Sequence, residues 1–95
     1  MSKSEIVNMT ATEMVRLIKT KGISASEVMD AHLSQINSVN PKVNAIVTIH
    51  PELGIDGAKL ADKAIAKGEK LGILHGLPTA HKDLVPTKGI RTTYG

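Results

Sequence analysis

Apolar residues recur at helical spacing through the first part of the chain, and farther on they give way to short β-branched runs. Met14, Leu17 and Ile18 fall at i, i+3 and i+4, the stripe that one face of an α-helix buries. Thr10 and Glu13 bracket the start as a capping box, in which the hydroxyl accepts from the third helical N–H and the glutamate reaches back to the cap, with Met9 and Met14 at the two staple positions. Gly22 closes the segment, and Lys19 and Lys21 lie near the negative end of its dipole, so a helix is predicted over 10–21. The same device recurs with Ser24 and Glu27, stapled by Ile23 and Val28. It predicts a second helix over 25–38, starting at Ala25, with Met29, Leu33 and Ile36 on its buried face. Pro41 biases Asn40 away from the helical region and ends it. His32 lies one step from the buried face and reads as a boundary residue rather than a metal ligand. Residues 1–8 are polar and expected to fray.

The run VNAIVTI, 43–49, is short, apolar and β-branched and is closed by His50-Pro51, which predicts a strand covered on both faces. Gly54 and Gly57 weaken any helix across Leu53 to Gly57. From Asp56 onward, Gly57, Leu60, Ala61, Ala64 and Ile65 follow the 3.6 period up to Gly68, giving a third helix over 56–67. Asp62, Lys63, Lys67 and Glu69 fall on its outer face, where charges usually do no more than solvate. Pro78 fixes its own φ and pushes Leu77 towards an extended conformation, so 77–81 is the second strand. The expected fold class is therefore α/β: a helical hairpin followed by a β-α-β unit, with a right-handed crossover if the strands are parallel in one sheet.

Composition narrows the class. The chain has no Phe or Trp and a single aromatic, Tyr94, so its core must be built from Leu, Ile, Val, Met and Ala. A chain of 95 residues buries only about 60 to 65% of its unfolded surface, and a core of this kind suits a layer that finishes its packing against other parts of a larger fold. The net charge of +3 comes from scattered lysines and arginines with no interleaved aromatics, which argues against nucleic-acid binding by this segment. With no cysteine there is no disulfide, thiolate catalysis or cysteine-ligated zinc. No run has signal-peptide or membrane-span length, and the expected location is the cytoplasm.

Candidate chemistry is concentrated in GILHGLPTAHKDLVPTKGIRTTYG, Gly72 to Gly95. Lys82 ends the second predicted strand, where catalytic groups of α/β proteins often sit. An arbitrary lysine is a solvated surface residue. Lys82, however, follows a run that should be at least half buried, and Asp83, Thr87, Thr92 and Thr93 lie nearby as hydrogen-bonding partners. A desolvated lysine has a depressed pKa and can act as a general base. A lysine nitrogen standing freely in bulk solvent would overturn that role. His75 and His81 compete for it, but on a regular strand His81 and Lys82 point to opposite faces.

These residues resemble a known family. HGLP, then HKD, then GIRTTYG are similar to the opening of the amidase signature family, which carries G-[IVL]-P-x-x-x-K-D followed by a glycine and T-T-x-G; the SASEV and NPKVNA segments of the lead-in are also similar. Ile73 departs from the family pattern, in which many members have proline. The resemblance implies a mixed-sheet fold and makes Lys82 the lysine of a Ser-cisSer-Lys triad. Asp83, Thr92 and Thr93 then position the loop or line the same region. No cofactor and no metal are implied. The serines are Ser2, Ser4, Ser24, Ser26, Ser34 and Ser38, none in a Gly-x-Ser-x-Gly setting, and the glycine- and serine-rich segment that supplies the nucleophile is not among these residues. The chain is thus expected to be the N-terminal piece of a longer amidase acting on a small-molecule amide, inert alone, with the rest of the amidase domain as its partner. Two alternatives are the A subunit of a glutamyl-tRNA amidotransferase and a non-catalytic α/β module that grips an anion with Lys82.

Overall fold

The computed structural model describes residues 1–83 and 85–94. Among the described residues four helices follow one another: α1 (Lys3–Val7), α2 (Ala11–Lys19), α3 (Ala25–Val43) and α4 (Pro51–Ala66). The longest, α3, packs against both α1 and α4. Ile6, Met14, Ile18, Ile23, Val28 and Ala58 meet in the core between them, and among the described residues Ile18 and Val28 are its largest fully buried side chains.

The β-α-β expectation is overturned. Among the described residues there is no sheet, only an isolated antiparallel bridge between Thr87 and Ile90, and the fold is helical rather than α/β. A strand must satisfy its backbone through a neighbour, and the chain satisfies it otherwise. Val43, the first residue of the predicted strand 43–49, is the last of α3. Asn40 then takes both backbone groups of Ile46: its Nδ2 donates to the Ile46 carbonyl at 2.9 Å, and its Oδ1 accepts from the Ile46 N–H at 3.0 Å. Residues 77–81 lie in no ladder, and the Leu77 N–H is used in a turn with the Leu74 carbonyl at 3.2 Å.

Helix boundaries show which local signals hold. Ser24 and Glu27 form the full capping box, and α3 starts at Ala25 as predicted. At α2 the hydroxyl half of the box is present, with Thr10 Oγ1 accepting from the Glu13 N–H at 3.2 Å. Lys21 takes the left-handed conformation that ends α2, at φ 65°, while the Gly22 N–H donates to the Leu17 carbonyl at 2.8 Å and the Lys21 N–H to Ile18 at 3.2 Å, a Schellman closure. Pro41 does not end α3. It sits in the last turn, where its missing N–H forfeits one i→i−4 bond without stopping the helix, and the left-handed Asn44 caps the helix three residues later.

Within residues 1–8, expected to fray, Lys3–Val7 form a helix. Ser2 and Glu5 make a further capping box, and Ile6 is buried against α3, so one apolar residue anchors a short helix in a polar stretch. Helix α4 begins at Pro51 rather than Asp56, because proline at the first helical position gives up a donor that would have no intrahelical partner. Gly54, which weakens the helix in isolation, lets it approach α3: a Cβ there would lie 2.9 Å from Met29 Sδ. The buried face of α4 is centred on Ala58, with Ala61 and Ile65 beside it, and the predicted Leu60 is exposed.

Candidate functional site

The HGLP segment is seated on the helical core by its glycine. Gly76 adopts φ +82°, and a Cβ there would lie 3.1 Å from Ile18 Cγ2 and 3.3 Å from Ala25 Cβ, so any side chain would meet both strain and the core. His75 fixes the same turn to α4. Its Nε2 lies 2.9 Å from the Ala61 carbonyl, which can only accept, so this nitrogen carries the proton. Leu77 packs against the core, and the chain then crosses the open face of α3 and α4.

Between that face and the C-terminal segment lies an open groove of about 1140 Å³. Met29, Leu33 and Ile36 form its α3 wall. They are the predicted buried face of the helix, yet only half-buried. Lys82, Asp83, Thr92 and Thr93 line the opposite side, so all four candidate residues border one groove.

Lys82 is exposed, in contrast to the burial expected of it. Its carbonyl accepts from the Val85 N–H at 2.9 Å in a turn. His81 is also exposed and, because 77–81 is not a strand, the alternation that set it opposite Lys82 does not operate. Asp83 is half-buried and reaches across ten residues. Its Oδ1 accepts from the Thr93 N–H at 2.8 Å, its Oδ2 accepts from the Thr93 hydroxyl, and its carbonyl accepts from the Tyr94 N–H at 3.0 Å. Thr92 is half-buried between them in sequence, on the groove. Gly89, at φ +78°, makes the turn that brings Thr87 and Ile90 together. Gly95, the glycine of the T-T-x-G element, lies outside the described residues.

The groups that sequence reasoning missed serve to position this face. Asp62, placed on the solvated side of α4 by its periodicity, caps α3 instead: Oδ1 accepts from the Ala25 N–H at 2.7 Å, and Oδ2 accepts from the Ser26 N–H at 3.1 Å and the Ser26 hydroxyl at 2.6 Å. A carboxylate at a helix N-terminus satisfies otherwise unpaired donors and meets the positive end of the dipole. Nothing in the spacing of Asp62 signals a partner more than thirty residues away. His32 bonds its own helix, Nδ1 lying 2.8 Å from the Val28 carbonyl. Among the described residues no group of three His, Cys, Asp or Glu is placed to hold a metal ion, and no helix is long and apolar enough to cross a membrane.

The segment that carries the Gly-Leu-Pro turn, the Lys-Asp pair and the Thr-Thr pair lies within a described family's match: the Amidase model matches residues 27–95, and the chain belongs to that family. Its relatives are more particular. Over 89 residues it is 46% identical to the A subunit of the glutamyl-tRNA(Gln) amidotransferase from Carboxydothermus hydrogenoformans, covering 94% of this chain and 18% of that protein. The proteins of the same name from Geobacter metallireducens (43% over 89 residues, 94% and 18%) and Dehalococcoides mccartyi (40% over 90 residues, 95% and 18%) are similar in the same way. The chain thus spans 18% of the length of these curated relatives. No solved structure matches the chain.

Proposed function

We propose that this chain is the N-terminal part of an amidase that hydrolyses a carboxylic amide to the acid and ammonia or an amine, with Lys82 as the base of a Ser-cisSer-Lys triad whose two serines come from further segments of the same protein. The observation that carries this proposal is the Gly76-Leu77-Pro78 to Lys82-Asp83 to Thr92-Thr93 series, bordering one groove within the segment matched by the family. Lys82 is exposed in this chain, so the desolvation that makes an amine a base is supplied when those further segments close over the groove. Lys82 then accepts a proton through the bridging serine, and the nucleophilic serine forms a bond to the amide carbon. The amide C–N bond breaks, the proton goes to the departing ammonia or amine, and water releases the acid.

The relatives' names, A subunits of glutamyl-tRNA(Gln) amidotransferases, favour the amidotransferase form of this activity; in the form proposed here the amide is that of glutamine and the ammonia passes to a partner protein. The 95-residue chain alone is inactive in either form. The test is release of ammonia by the full-length protein, with glutamine and with simple primary amides as separate substrates. Stoichiometric acid and ammonia from either is the expected result, and glutamine as the better substrate supports the amidotransferase form. A purified, folded full-length protein that releases ammonia from neither substrate, with or without a co-purifying partner, overturns the proposal.

A further inference from the structure

Asp83 makes three hydrogen bonds to residues ten and eleven positions ahead, and together they tie the two ends of the loop that begins next to Lys82. Two use the carboxylate, one oxygen on the Thr93 N–H and the other on the Thr93 hydroxyl, and the third uses the Asp83 carbonyl on the Tyr94 N–H. A carboxylate that accepts from a backbone N–H and a hydroxyl at once fixes both its own rotamer and its backbone. Within the loop, Thr87 and Ile90 close the Gly89 turn. Lys82 precedes Asp83 directly, and its carbonyl accepts from the Val85 N–H, so its main chain is held in a turn at the start of the same loop.

We infer that the Asp83–Thr93 pair is a clasp that positions Lys82: Asp83 takes no proton from substrate and sets the direction from which the lysine side chain enters the groove. The inference rests on the proposed role of Lys82. A base displaced by about 1 Å can lose on the order of a hundredfold in rate without loss of substrate binding. The clasp predicts that signature, together with non-additivity, because two partners of one interaction are lost only once.

The experiment uses the full-length protein with Asp83→Ala, Asp83→Asn, Thr93→Val, Thr93→Ser, the double variant Asp83→Ala/Thr93→Val, and Lys82→Ala as reference. The amide exchange of Thr93 and Tyr94 is followed alongside kcat, KM and Tm. Asp83→Ala is expected to lower kcat about ten- to a hundredfold with KM within about threefold. Thr93→Val should fall in the same direction, Thr93→Ser should keep most of the activity, and the double variant should be no worse than Asp83→Ala. Asp83→Asn, which still accepts through one oxygen, should lie between wild type and Asp83→Ala. Thr93 and Tyr94 exchange should quicken in Asp83→Ala while the Tm barely moves. Wild-type kcat in Asp83→Ala, a loss confined to KM, or additive losses in the double variant overturns the clasp. If Lys82→Ala is itself as active as wild type, the role of Lys82 fails instead, and unchanged Thr93 exchange in Asp83→Ala then removes the clasp independently.

Discussion

Single residues in this chain do different work according to what lies beyond their local sequence. Glu5 shows the purely local case. The Ser2 hydroxyl and then the Ser2 backbone N–H donate to its carboxylate and hold it below the ordinary value of 4.5. A carboxyl whose folded pKa lies below its unfolded one contributes stability that is present above the unfolded value and lost as pH falls through the folded one. Helix α1 is therefore expected to loosen as the solution is acidified below about pH 4.5. An NMR titration following Ile6, whose N–H bonds the Ser2 carbonyl, checks this, and α1 signals that stay flat through that range would contradict it. The Ser2–Glu5 box was legible in principle, as Ser-x-x-Glu ahead of Ile6, but the polar composition of residues 1–8 masked it. Asp62 is the opposite case, because its partners on α3 are adjacent only once the helices have packed.

At the scale of elements, capping chemistry was readable and pairing was not. The starts of α2 and α3 follow from Thr10 and Ser24, whose bonds span three residues. The strands required a partner backbone that β-branching at 43–49 cannot specify, and the carboxamide of Asn40 occupies the groups of Ile46 that such a partner would need. Periodicity likewise selected Leu60 for the buried face of α4, whereas the close approach of Gly54 to Met29 turns that face towards Ala58. Asp62 ties α4 to the start of α3 through three hydrogen bonds. Asp62→Ala leaves the Ala25 and Ser26 N–H groups without their acceptor and should destabilise the chain by about 1–3 kcal/mol. Urea unfolding would show this as a lower midpoint, and an unchanged midpoint would mean that water replaces the cap at no cost.

The whole molecule has a small helical core and a large apolar surface outside it. Leu60 and Leu74 are each 65% exposed and Ile73 is 82% exposed, while the half-buried Leu33 and Ile36 of α3 line an open groove. These surfaces and the exposure of Lys82 support the proposal that the chain completes its packing within a larger protein. The candidate site was legible as a motif, because Gly76, Pro78, Lys82, Asp83 and the Thr92-Thr93 pair stand at fixed spacing. Its surroundings were not, since the expected burial of Lys82 depends on residues outside the motif. The most direct measurement of the central claim is turnover of glutamine or a simple primary amide by the full-length protein carrying Lys82→Ala. The account predicts a loss of about a hundredfold to ten-thousandfold in kcat with the fold intact; activity within a few-fold of wild type would contradict it.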